Sequence, residues 1–197
     1  MNAFPRRAGE PVQEAIALAD LWIMTHLREV SDSGGPNDQY IEQVLIPAAR
    51  VDCENRTERT LVSTPWLLKL DAFPSAIELR QPPIIAVQSV QYLDESGTLQ
   101  TLDPADYVLD EASEPGFLVP APDKAWPATQ AGAVNAVRVA YTAGYGATRT
   151  TVPPPLKFWL AAAISSMYAT REIDAASPRL PHDFCDGLLQ PYRLLGI

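Results

Sequence analysis

His182 and Cys185 stand three residues apart, a spacing that can place both on one face of a helix and suggests a soft metal site. A closed zinc site takes about four such ligands, and a catalytic one about three plus a water. The only other soft candidates, His26 and Cys53, lie far away in sequence. The pattern reads as an exposed histidine at a helix start and a buried small thiol, with no metal. No Gly-x-Ser-x-Gly elbow is present, which leaves Cys185 with His182 or His26 as the one pairing open to a nucleophilic thiol. Carboxylates pair in Asp103 with Asp106 and in Asp110 with Glu111, but acid–base work needs two carboxyls held in a cleft. In turns such acids are solvated or bonded to their own backbone. Gly144-Tyr145-Gly146 resembles a phosphate loop only superficially: no Lys follows, and three prolines stand before the next helix. Trp126 sits in a loop context and reads as an anchor for a neighbouring surface, whereas Trp66 and Trp159 read as core. The expectation is a protein with no active site and no cofactor.

The elements around these residues fall into two kinds. Val12, Ala15, Ile16, Ala19, Trp22, Ile23 and Leu27 recur at helical spacing and predict a first helix over 12–29. Gly34-Gly35-Pro36 breaks the chain, and Asn37 or Asp38 can cap a second helix reaching Arg56. Its predicted buried face is Ile41, Val44, Leu45, Ala48 and Val51, with a kink at Pro47. From Leu61 to Thr150 the segments shorten and alternate. Strands are predicted at 77–79, 84–93, 98–102, 107–110, 116–120 and 134–141, with a turn at Asp94 to Gly97. A third helix opens on Pro153 to Pro155, carries Leu156, Trp159, Leu160, Ala163, Ile164, Met167 and Tyr168, and ends near Glu172. A short helix over 182–190 follows. The predicted class is α+β: a small helical bundle (two N-terminal helices, one long and one short C-terminal helix) with an inserted antiparallel β block. The predicted domains are 1–60 with 151–197 for the bundle and 61–150 for the β block.

Length and composition narrow the function classes. A chain of 197 residues buries a substantial core, and 19 prolines argue for many loops and strand ends. The net charge of −9 argues against binding nucleic acid through its phosphates, although DNA can pass an anionic wall without sticking. Between Gln91 and Trp126 eight acids face one base, Lys124, so the acidity belongs to the strand block. From Val152 onward four acids balance four bases. Two cysteines make no disulfide framework. Arg6 and Arg7 precede no apolar stretch, and Phe158 to Ala169 is too short to span a bilayer, so the expectation is synthesis in a reducing cytoplasm and no membrane partner.

The order of these pieces resembles the head–tail connector (head-completion adaptor) family of tailed phages and gene transfer agents. Val12 to Arg28 is similar to the opening helix of that family, and Tyr40-Ile41-Glu42 through Ile46-Pro47-Ala48-Ala49-Arg50 to its second helix. Leu70 to Pro74, Ile77-Glu78-Leu79, Pro82-Pro83-Ile84, Val87 to Gly97, Asp106-Tyr107 and Trp126-Pro127 resemble its strand region. Val137 to Tyr141 with Ala143-Gly144-Tyr145-Gly146, then Val152-Pro153 and a helix, carries the most specific likeness, and Leu189 to Arg193 resembles its C-terminal end. The resemblance implies a structural protein, not an enzyme. It implies a ring of about twelve copies that docks on the portal protein, extends the DNA channel without sequence-specific binding, and meets a tail-side connector or tail terminator protein. Localisation would be the head–tail junction of a virion or phage-like particle. On that basis Arg193, Leu194, Leu195, Gly196 and Ile197 are candidate portal-binding residues. Asp94, Glu95, Asp103, Asp106, Asp110, Glu111 and Glu114 are candidates for an acidic channel or tail-side face. The alternatives are another tail component such as a tail terminator and, in a different class, a small hydrolase.

Overall fold

A computed structural model describes residues 4–25, 36–169 and 186–194. The fold is α+β, with helices and antiparallel sheets. The chain divides into two compact units, Met1–Val12 with Ser63–Gly146, and Gln13–Val62 with Ala147–Ile197. Among the described residues, no helix is long and apolar enough to cross a membrane.

The first unit is all strand. Strands β1 (Arg6–Arg7), β2 (Thr64–Leu70), β8 (Val137–Ala143), β4 (Ile84–Leu93) and β5 (Leu99–Thr101) form one antiparallel sheet in that spatial order. Strands β3 (Ile77–Leu79), β7 (Gly116–Pro120) and β6 (Tyr107–Asp110) form a second. Alternation drives the packing. Every second residue of β8, from Val137 through Val139 and Tyr141 to Ala143, is buried. Thr64, Trp66 and Leu68 of β2 are buried beside them. These residues share one core with Ile77, Leu79 and Leu118 of the second sheet. Two register shifts in β4, between Ile84 and Ala86 and between Val87 and Ser89, interrupt its alternation. The two sheets come very close at Gly116: a Cβ there would lie 2.8 Å from Ile84 Cγ1. The Tyr141 hydroxyl donates to the Arg80 carbonyl at 2.8 Å.

The strand expectations hold at 77–79, 84–93, 107–110 and 116–120, while the strand expected at 134–141 runs over 137–143. Strands β1 and β2 were not foreseen. Because Arg6–Arg7 pairs with Leu67 and Trp66, the first residues, expected with the helices, sit with the strands.

The second unit is helical. Helix α1 spans Leu18–Thr25, not the expected 12–29, of which 26–29 lie outside the described residues. Ala15 and Ile16 are buried but non-helical. The Asp20 carboxylate accepts the Ala17 N–H at 2.9 Å, satisfying one otherwise unpaired donor and fixing the start. The second helical stretch comprises α2 (Pro36–Tyr40), a π-turn (Ile41–Leu45) and α3 (Ile46–Thr57). In the π-turn the Ile46 N–H reaches back to the Ile41 carbonyl. This extra residue per turn rotates everything after it, so the predicted face is wrong. Ile41, Leu45, Ile46, Ala49, Arg50, Cys53, Glu54 and Thr57 are buried, whereas Val44, Ala48 and Val51 are exposed. Glu58 ends α3 in the left-handed conformation, with φ of 54°. Helix α4 spans Pro154–Ala169 and buries Leu156, Trp159, Leu160, Ala161, Ile164 and Tyr168. Its expected end near Glu172 and most of the expected helix 182–190 lie outside the described residues; Gln190–Tyr192 forms a 3-10 turn.

Candidate functional site

The seven candidate acids occupy three separate connections of the strand unit. Asp94 builds the turn between β4 and β5. Its carboxylate accepts the Ser96 hydroxyl at 2.6 Å, the Gln100 amide at 2.9 Å and the backbone N–H groups of Ser96 and Thr98. Those bonds favour the charged form and hold its pKa at about 2, the Ser96 hydroxyl contributing most. Glu95 beside it is exposed. Asp103 caps the short 3-10 turn Pro104–Asp106 by accepting the Ala105 N–H, and Asp106 pairs with Lys124 at 3.2 Å. Asp110 shapes the turn between β6 and β7. The Ser113 hydroxyl at 2.7 Å and the backbone N–H groups of Ser113 and Ala112 hold its carboxyl below the usual range. Glu111 and Glu114 in the same connection are exposed. Asp94, Asp103 and Asp110 therefore shape turns as well as carrying charge, and Glu95, Glu111 and Glu114 present the most accessible carboxylates.

Of the candidate tail residues, Arg193 and Leu194 are described and Leu195, Gly196 and Ile197 are not. The preceding segment is strapped to the C-terminal end of α3. Arg56 reaches Asp186 at 3.3 Å, and the same carboxylate accepts the Trp159 indole N–H at 3.3 Å. Arg56 also lies over the Trp159 ring. The Arg59 guanidinium donates to the Tyr192 carbonyl, and the Leu194 N–H donates to the Thr57 carbonyl at 3.2 Å. Leu189 is fully buried. Three of the otherwise unpaired carbonyls and side chains at this helix end thus find partners in one short strap.

The residues first suspected of chemistry separate. Cys53 is buried in α3, where burial first, then the charges of Glu54 and Asp52, push its thiol up to about 12. His26, His182 and Cys185 lie outside the described residues. Among the described residues, no group of three or more His, Cys, Asp or Glu could hold a metal ion. Gly144 donates its N–H to the Pro83 carbonyl, and Gly146 accepts from Ser63, so this glycine pair closes strand ends. Trp126 stacks on Phe73 with ring centroids 4.9 Å apart, inside its own unit. A groove of about 190 Å³ opens among Glu14, Glu42, Ile46 and Arg149, below the range of roughly 300–1,000 Å³ usual for small-molecule sites. Arg149 there is also paired with Asp20 at 3.4 Å.

Two features escaped sequence reasoning. The Arg50 guanidinium is buried between Glu14 at 2.7 Å and Glu54 at 3.2 Å, and the second oxygen of Glu54 accepts the Leu61 N–H at 3.0 Å. Arg50 and Glu54 are four apart, a legible helical pair, but nothing in their spacing announces burial. The other feature is the exposed apolar side of the helical stretch 36–57, formed by Tyr40, Val44, Ala48 and Val51.

The fold has close counterparts. No protein-family model and no curated protein matches the chain. Among solved structures it is similar to a chain in the virion of a native gene transfer agent particle, at 20% identity and a TM-score of 0.78. It is also similar to chains in two neck structures, one of an empty particle computed with C6 symmetry and one of a native particle computed with C12 symmetry. Both are 22% identical, with TM-scores of 0.74 and 0.73. Each likeness covers 98% of this chain and 97% of the other. At these identities the likeness is one of fold.

Proposed function

We propose that this chain is a structural subunit of the neck of a tailed-phage-type particle, gene transfer agents included, and works as a head–tail adaptor. Copies form a ring, about twelve if the ring follows the symmetry of the native neck it resembles. The ring lies beneath the portal, extends the DNA channel and offers a surface to the next tail-side protein. It acts by shape and self-association, with no bond made or broken. The observation that carries this reading is the end-to-end likeness in fold to chains of such particles, with 98% of the chain covered.

The described surfaces suit the role. The acids of the strand unit, Asp94, Glu95, Asp103, Asp106, Asp110, Glu111 and Glu114, sit at turns and make a wall that repels DNA phosphates, either along the channel or on the tail side. The strap over the end of α3 fixes the point from which the segment Arg193 to Ile197 departs, and that segment is assigned to the portal. Removing the gene from a producing cell should leave filled heads and free tails unjoined in electron micrographs, and a tagged copy should label the head–tail junction. Particles that join normally without the protein would refute the proposal. Truncation after Leu194 should abolish portal binding, and unchanged binding would remove the tail assignment alone.

A further inference from the structure

The helical stretch 36–57 is apolar on two sides, and only one of them is used within its own unit. Ile41, Leu45, Ile46, Ala49 and Cys53 are buried. On the opposite side stand Tyr40, Val44, Ala48 and Val51, at successive spacings of four, four and three, which keeps them in one stripe. Val44 is 48% exposed and Val51 43%. Scattered apolar residues on a surface mean little, but a stripe about 16 Å long on one helix is a contiguous patch. Exposed Glu42 and Asp52 flank it.

Helix α4 offers a counterpart of opposite character. Its sequence contains no acid and a single base, Lys157, next to Phe158, which is 43% exposed. One turn on from Phe158 stands half-buried Ala162, small enough to let another helix approach closely.

We infer that the stripe Tyr40, Val44, Ala48 and Val51 of one copy packs on the Phe158 side of α4 of the next copy. Glu42 or Asp52 then faces Lys157 across the contact. The occupant is a second copy because the apolar and charged partners of the stripe both occur on this chain, on a different face, as a head-to-tail ring requires. The inference rests on the ring reading above and names the surface that closes it.

The test uses particles in which each variant is the only copy of the protein. Val44→Lys with Val51→Lys leaves the isolated chain's thermal midpoint within about 2 °C of wild type, because both positions are solvent-facing in the monomer. The amount of protein in purified necks should fall at least about ten-fold. In a second variant, Val51→Cys with Phe158→Cys in a Cys185→Ser background, a short bis-maleimide should link necks into a ladder of multimers. Each single-cysteine control should stop at dimers. Necks that take up the lysine variant at the wild-type level, or that contain the cysteine pair without forming a ladder, would overturn the surface and leave the ring reading standing. Wild-type particles lacking the protein at the neck would overturn both.

Discussion

Replacing Arg50 by methionine should destabilise the helical unit more than any other single change of one charge. The substitution keeps most of the apolar stem and removes the guanidinium, so cavity formation contributes little. The arginine and Glu54 side chains are each only 4% exposed, and their separation is 3.2 Å. Without Arg50, Glu54 keeps the Leu61 N–H as a donor but loses its buried countercharge, and Glu14 loses a 2.7 Å bond. Breaking one side of a buried ion pair costs about 3–5 kcal/mol, mostly as the penalty of the charge left behind. For a chain of this size that corresponds to a fall of roughly 6–20 °C in Tm. The assay is urea unfolding followed by far-UV circular dichroism, run as a double-mutant cycle with Glu14→Gln. Glu14 is the more exposed partner, so its single variant should cost about 1 kcal/mol or less, with a coupling to Arg50 of at least about 0.5 kcal/mol. A loss below about 1 kcal/mol for Arg50→Met, or strict additivity in the cycle, would refute the view that this cluster holds α3 to the chain on either side of it.

Other outcomes follow from the same physical terms. Gly116→Ala should cost about 1–3 kcal/mol in unfolding free energy, because the new methyl would lie 2.8 Å from Ile84 Cγ1 and 3.3 Å from the Asp110 carbonyl oxygen. In a Cys185→Ser background, Cys53 should resist a thiol reagent at pH 8 and react fully in guanidinium, since burial raises its pKa from 9.0 to about 12. The contribution of that thiol to stability is complete below pH 9 and is lost as pH rises toward 12. Asp94 behaves in the opposite sense: its pKa is lowered from 3.8 to about 2, so its contribution is present above pH 3.8 and is lost as pH falls toward 2. A carboxyl NMR titration should find that midpoint, and Asp94→Asn should speed amide exchange at Ser96 and Thr98.

The strand unit was largely legible because its information is local. The segments 84–93, 107–110 and 116–120 begin and end at turn residues whose side chains bond their own backbone, as Asp94 and Asp110 do. Strand β2 escaped notice because Pro65 interrupts its pattern, yet the Pro65 carbonyl still accepts the Ala8 N–H. Strand β1 has two residues and no readable alternation. The helical unit misled where its geometry departs from 3.6 residues per turn. A π-turn has no spacing signature of its own, so the same apolar residues were assigned to the wrong face. The strap between Arg56 and Asp186 spans 130 positions, a separation that no local pattern encodes. The candidate acids were visible as acids, but not as turn-forming residues.

The division of the chain into Met1–Val12 with Ser63–Gly146, and Gln13–Val62 with Ala147–Ile197, also sets an order of birth on the ribosome. Strand β1 emerges first and waits for β2, whereas Ser63–Gly146 arrives as one uninterrupted stretch that can collapse into its sheets during synthesis. Helix α4, against which α1 and α3 pack, is translated last. The helices with the apolar stripe are therefore left half-assembled until synthesis is nearly finished, so premature encounters between nascent chains are a hazard the cell must manage.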